Sequence, residues 1–235
     1  MSEELRSLPV ADKYYGQVAE IYDASRQGKE EFHQDQFVIE NILRALVQPG
    51  FQVLDIACGT NRISKFVGDL GGVYHGIDIS SDMVAFARKK EPTSDIRVAD
   101  AREIPHASGK FDLVMSVKFL KWLPEDAVLD QVLHEVARVM RPGGLALLHQ
   151  KILVAPEIDL RKGLRAAIAK VVKRKLSGRK LHVKTIKARA VNEALFLGLC
   201  EQVGLSAKYV VTTVPVALAA TKRRVDAFYV MQKQG

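Results

Sequence analysis

The stretch Val53-Leu-Asp-Ile-Ala-Cys-Gly-Thr-Asn-Arg-Ile-Ser64 decides the fold. An apolar run reads as a buried strand, and it breaks at Gly59, where a missing Cβ lets backbone approach a ligand closely. A helix follows whose first N–H groups have no helical partner and face whatever lies above the strand end. About twenty residues on, Gly76-Ile-Asp-Ile-Ser80 ends a second apolar run with Asp78 at its tip. An acid at that spacing is placed to accept hydrogen bonds from both hydroxyls of an adenosine ribose. The alternative is a plain strand–turn–helix in which Asp78 caps the next helix.

Working outward, strands are expected at Phe51–Ala57, Val73–Ile79, Ile96–Ala99, Phe111–Val117 and Leu145–Leu148. Helical patterns separate them, and such alternation predicts a largely parallel sheet covered on both faces. One helix carries Val128, Leu129, Val132, Leu133, Val136 and Met140 and is expected to stop at Arg141-Pro-Gly-Gly144. Upstream, a helical pattern runs from Ala11 to Val47. Downstream, a helix over Asn192–Val203 precedes two β-like runs, Tyr209–Val214 and Ala227–Gln232. With no helix-length segment between them, these two should pair antiparallel at one edge. The chain reads as a single domain over residues 1–235: a helical cap to residue 49, a ligand-binding core over 50–150, an insertion over 151–190, and a closing helix and hairpin over 191–235.

The pieces in order resemble the class I S-adenosylmethionine-dependent methyltransferases. They are Val53–Asn61 as the glycine-rich motif, Gly76–Asp78, Ala99-Asp100-Ala101, Phe111–Ser116 and Arg141–Leu145. The resemblance implies a Rossmann-like α/β fold, with a seven-stranded, mostly parallel sheet and an antiparallel last strand. It implies S-adenosylmethionine as cofactor and S-adenosylhomocysteine as product. Asp55 and the backbone of Ala57, Cys58 and Gly59 would surround the methionine part, and Asp78 would hold the ribose. Ile79 and Met83 would pack near the adenine, with Asp100 and Ala101 at its polar edge and Ser116 facing the reactive end. Tyr14, Tyr15 and Tyr22 match an N-terminal helix that closes over the cofactor in some relatives, or else serve packing. Asn61 stands where a second glycine is usual. Asn tolerates a left-handed backbone better than most residues, so the turn survives, although a non-catalytic adenosine-binding scaffold stays open.

Acceptor candidates cluster after the fourth and fifth strands. Lys118, Lys121 and Trp122 are placed to bind an acidic acceptor, and Lys118 and His149 are the catalytic candidates, His149 as a base. The alternatives are solvated lysines and a structural histidine. His106 and His134 read as loop and helix-surface residues, and neither Cys58 nor Cys200 reads as a nucleophile. No acid cluster suits a magnesium site, and two cysteines build no four-ligand zinc site, so no metal is expected. Acceptor signatures for base amino groups, pyrimidine carbon or arginine are missing, which by elimination favours a small-molecule acceptor methylated on oxygen or nitrogen.

The charge supplies the other clue. The chain carries a formal +8, yet twelve basic residues and no acid fall between Arg161 and Asn192, so the remainder is net acidic. Leu160, Leu164, Ile168, Val171 and Val172 recur at helical spacing while Arg161 and Arg165 lie elsewhere, giving a basic amphipathic lid. Its partner is expected to be an anionic small acceptor contacted by Arg161 and Arg165. The alternatives are an anionic membrane surface, RNA in a macromolecule methyltransferase, an acidic carrier protein, or solvent alone. The polar, acidic start and the lack of a long apolar run lead to an expected cytoplasmic location.

Overall fold

The computed structural model describes residues 30–153, 191–212 and 224–234. The basic lid with Arg161 and Arg165, and the stretch holding Tyr14, Tyr15 and Tyr22, lie outside these residues. Along the chain run α1 (Glu30–Leu46), β1 (Gln52–Ile56), α2 (Ser64–Asp69), β2 (Val73–Asp78), α3 (Ser81–Lys90) and β3 (Asp95–Val98). Then follow β4 (Phe111–Ser116), a single 3-10 turn (Leu120–Trp122), α4 (Asp126–Val139) and β5 (Met140–Leu153). A two-residue β6 (Val191–Asn192), α5 (Glu193–Gln202), β7 (Leu205–Thr212) and β8 (Arg224–Lys233) complete the order.

The main sheet has the order β3-β2-β1-β4-β5-β8-β7, and β6 adds a short pairing beside β5. The first five of these strands are parallel, while β8 is antiparallel to both β5 and β7. The sheet is therefore the expected seven-stranded, mostly parallel one with an antiparallel last strand. The closing hairpin pairs antiparallel at one edge as expected, with β8 inserted between β5 and the outermost β7.

Two apolar clusters sandwich the sheet. On one face Leu129, Val132, Leu133 and Val136 of α4 meet Phe196 and Cys200 of α5. On the other, Ile39 and Leu43 of α1 pack with Val67 of α2 and Val84 of α3. The α4 residues recur at i, i+3, i+4 and i+7, which turns one stripe to the core. Each such fully buried aliphatic contributes about 1.5–3 kcal/mol. β1 and β4 are buried along nearly their whole length, as parallel strands covered on both faces must be.

The Arg141–Gly144 turn does not stand apart as expected. α4 stops at Val139, and the turn is absorbed into β5 as an irregularity in its register with β4. Gly143 adopts φ 72°, and a Cβ on Gly144 would lie 2.9 Å from the Arg141 carbonyl oxygen. Glycine at both positions lets the strand bend there without breaking the sheet.

Candidate active site

The parallel strands bring the tips of β1, β2 and β3 side by side and stitch them with backbone bonds. The Cys58 N–H donates to the Ile77 carbonyl (3.0 Å), and the Ala99 N–H donates to that of Asp78 (2.9 Å). The loop after β1 needs three left-handed residues: Ala57 (φ 60°), Gly59 (φ 55°) and Asn61 (φ 56°). Gly59 meets this freely, and Asn61 is among the residue types that tolerate it. Gly76 beneath the loop is fixed by contact instead, since a Cβ there would sit 2.9 Å from Cys58 Sγ.

Asp78 is tied to this loop. Its Oδ2 accepts the Gly59 N–H and its Oδ1 accepts the Ser80 N–H, both at 2.9 Å. Ser80, not Asp78, caps α3, its hydroxyl accepting from the Met83 N–H. The plain helix-cap reading of Asp78 is thereby set aside. The Ile79 N–H also reaches this carboxylate, which with about four acceptor sites keeps capacity for a ligand hydroxyl. Burial pushes the Asp78 carboxyl above the usual carboxylate range, opposed by these backbone bonds.

Asp55 lies deeper. Tyr74 donates its hydroxyl to Asp55 Oδ2 at 2.9 Å, a contact between neighbouring strands that the sequence reading did not single out. Burial pushes the Asp55 carboxyl up to about 7, with the Tyr74 bond and the charge of Arg62 opposing. A carboxyl raised by folding binds its proton more tightly in the native state, so stability falls as pH rises from about 4 to 7. Relative to Asp55→Asn, the wild-type apoprotein should lose about 3 kcal/mol between pH 5 and pH 8, read by urea unfolding at those two values. Equal pH slopes for the two proteins would show that Asp55 is ionised throughout.

The remaining cofactor candidates fall around the same tips. Met83 and Ala101 are buried, and Ile79 is half-buried. Asp100 accepts the backbone N–H and the guanidinium of Arg102 (2.7–3.0 Å). Burial pushes the Cys58 thiol far above its ordinary range, which removes it as a nucleophile at neutral pH. Both amide atoms of Asn61 and the hydroxyls of Ser64 and Ser116 are buried with no hydrogen-bond partner among the described residues. Buried polar groups ordinarily have partners. Unused donors and acceptors around a left-handed loop fit a polar ligand that carries both an amino-acid part and a ribose.

The tips of β4, β5 and the start of β8 form the neighbouring wall. Lys118 is also left-handed (φ 63°), and its N–H donates to His149 Nδ1 at 3.2 Å. His149 is fully buried, and burial keeps its ring neutral. With Nδ1 accepting, the ring proton lies on Nε2, which faces Asp226 Oδ1 at 3.3 Å. Nδ1 is thus engaged by backbone, whereas Nε2 lies beside the carboxylate without hydrogen-bond geometry to it. Asp226 also lies 3.6 Å from the Lys121 ammonium and 3.9 Å from that of Lys151. Despite its own burial, these neighbours hold the Asp226 carboxyl well below the usual range. Lys118 pairs with Asp35 of α1, and the Lys121 ammonium lies 5.9 Å from the centre of the half-buried Trp122 ring. The structure therefore brings Lys118, Lys121 and His149 together, and adds Asp226 and Asp35, which sequence reasoning missed.

Comparison with known proteins agrees with this geometry. Residues 54–148 match the family model described as a methyltransferase domain. A dTDP-3-amino-3,6-dideoxy-alpha-D-glucopyranose N,N-dimethyltransferase of Streptomyces fradiae is 29% identical over 140 residues, 59% of this chain and 54% of that protein. A malonyl-[acyl-carrier protein] O-methyltransferase of Enterobacter lignolyticus is 38% identical over 94 residues, 40% of this chain and 36% of that protein. The matches thus span about half or less of those relatives' own lengths. The magnesium protoporphyrin IX methyltransferase of Synechocystis PCC 6803 shares the fold, with a TM-score of 0.66 over 100% of this chain and 99% of that one at 16% identity. Among the described residues no helix is long and apolar enough to cross a membrane. Strand order, cofactor loop and family model coincide over the same residues, so residues 54–148 carry a methyltransferase domain within a chain that has the fold of the S-adenosylmethionine-dependent methyltransferases.

Proposed function

We propose that the protein transfers a methyl group from S-adenosylmethionine to an oxygen or nitrogen of a small anionic acceptor. The observation that carries this reading is the wall beside the cofactor loop. There Lys118, Lys121 and Lys151 outnumber their acidic partners Asp35 and Asp226, leaving a local positive balance for an acceptor's negative group.

The residues divide the work. Asp78, Gly59 and Asp55 bind and orient the cofactor, which when bound supplies a methyl group on a sulfonium. Lys121 and Lys118 align the acceptor, and alignment alone is worth effective molarities of about 10⁵–10⁸ M. His149 acts by position: it fixes the backbone of Lys118 and directs Asp226 toward Lys121. A base is needed only for an acceptor that must lose a proton.

A second reading is favoured by the acid-free run of Arg161–Asn192 and by relatives named for acyl-carrier-protein substrates. In it the anionic acceptor is carried by an acidic protein that docks on the basic segment. Incubation with cofactor bearing a radioactive methyl group and a fractionated cell extract separates the two. Label in small polar or organic-soluble molecules is expected. Label released from the protein fraction as methanol by mild base would replace the first reading with the second. Label in RNA, or no transfer by protein that binds S-adenosylhomocysteine, would overturn both.

A further inference from the structure

At the opposite, amino-terminal end of the sheet, a second polar cluster is built from residues the methyltransferase site does not use. His75 in β2 lies directly across from Asp95, the first residue of β3. His106 reaches in from the loop before β4, and one ligand atom from each of the three lies within 4.8 Å of the others. His75 is three residues from Asp78, about 10 Å along the strand.

We propose that His75, Asp95 and His106 form a divalent metal site of the zinc class, in which the Lys110 ammonium is a resident competitor for the metal. The Gln52 side-chain NH2 faces the Gly50 carbonyl (3.4 Å), so its Oε1 faces His75 Nε2 at 2.9 Å. In the tautomer that donates from Nε2 to Gln52, Nδ1 presents a lone pair. Nδ1 lies 3.1 Å from Asp95 Oδ2, which is also an acceptor. His75 Nδ1 and Asp95 Oδ2 are thus two potential ligand atoms that face each other, an arrangement suited to a cation. Their separation is close to the ligand–ligand edge of a tetrahedral zinc site, about 3.3 Å.

Lys110 now meets that demand, its Nζ lying 3.4 Å from Nδ1 of both His75 and His106. Arg97 grips Asp95 through two bonds of 2.8 Å, orienting the carboxylate as an outer partner does while adding a charge that weakens metal binding. Among the described residues His106 Nε2 is buried without a hydrogen-bond partner, and its ring is held edge-on by Phe111 and His75 at centroid distances of 5.1 and 5.6 Å.

The test uses the full chain, stripped with chelator and titrated with Co²⁺ by visible absorption, then with Zn²⁺ in competition with a chromogenic chelator. One equivalent is expected to bind with the intense bands of a four-coordinate cobalt site. His106→Ala should weaken binding by at least about 100-fold, beyond the 10–100-fold that losing an outer partner costs. Lys110→Met should tighten it about 10-fold or more, and His134→Ala on the exposed face of α4 should change nothing. Binding of S-adenosylhomocysteine reports that each variant is folded. If His106→Ala fails that check, the tightening by Lys110→Met carries the test. No binding by either wild type or Lys110→Met, or folded His106→Ala binding as well as wild type, would overturn the proposal.

Discussion

Replacing Asp78 with alanine is expected to weaken S-adenosylhomocysteine binding by at least about 100-fold, measured by titration calorimetry. The carboxylate is to hold two ribose hydroxyls, and hydrogen bonds to a charged group contribute about 1.5–3 kcal/mol each. Two of them amount to about 3–6 kcal/mol, or two to four decades of affinity. The same change removes the acceptor for the Gly59 N–H, so the left-handed loop loses its anchor as well. Asp78→Asn should fall between, because an amide oxygen can replace one carboxylate oxygen while its NH2 opposes the N–H facing the other. Unchanged affinity in the alanine variant would place the ribose elsewhere and remove the basis of the site.

The second large effect is expected at Asp226. Its side chain is 27% exposed, whereas that of Lys121 is only 9% exposed. Asp226→Ala leaves the Lys121 ammonium in a place where burial already lowers its pKa and Asp226 is the first influence opposing that. Stranding one member of a buried pair costs about 3–5 kcal/mol. With Asp226 partly solvated, about 2–3 kcal/mol is expected here, seen as a lower urea midpoint at unchanged slope. Lys121→Met should cost less, since His149 and Lys151 still face the carboxylate. The double variant Lys121→Met/Asp226→Leu should recover most of the stability while losing methyl transfer. A double variant no more stable than Asp226→Ala alone would refute the stranded-charge account.

These predictions differ in how far the residues alone could reach them. Asp78 was legible because the strand, the glycine turn and the next strand tip occur within about 25 residues, and local rules join them. Parallel neighbours in order also gave the tips carrying Asp100, Ser116 and His149. Asp226 was not legible, because nothing local says that β8 enters between β5 and β7. Only that insertion, running antiparallel, brings the start of β8 opposite Lys151 and beside His149. The Tyr74–Asp55 bond was missed for a related reason. It links residues 19 apart on adjacent strands, and strand registry follows from packing. His75 and His106 each look ordinary in sequence, and their meeting with Asp95 arises only when β2 and β3 align.

The place of β8 also bears on how the molecule is assembled during synthesis. Among the described residues β7 pairs with β8 alone, and β8 is the partner on which β5 and β7 both depend. Emerging vectorially from the ribosome, the chain presents β7 before any strand exists for it to join. The half of the sheet from β3 to β5 can form early from neighbours close in sequence, but the other half waits for a strand more than seventy residues beyond β5. Closing that span is a slow, non-local event. Until it occurs, the β5 edge is an unpaired template open to other chains. The nascent protein is therefore most exposed to misassembly just before its acceptor wall is complete.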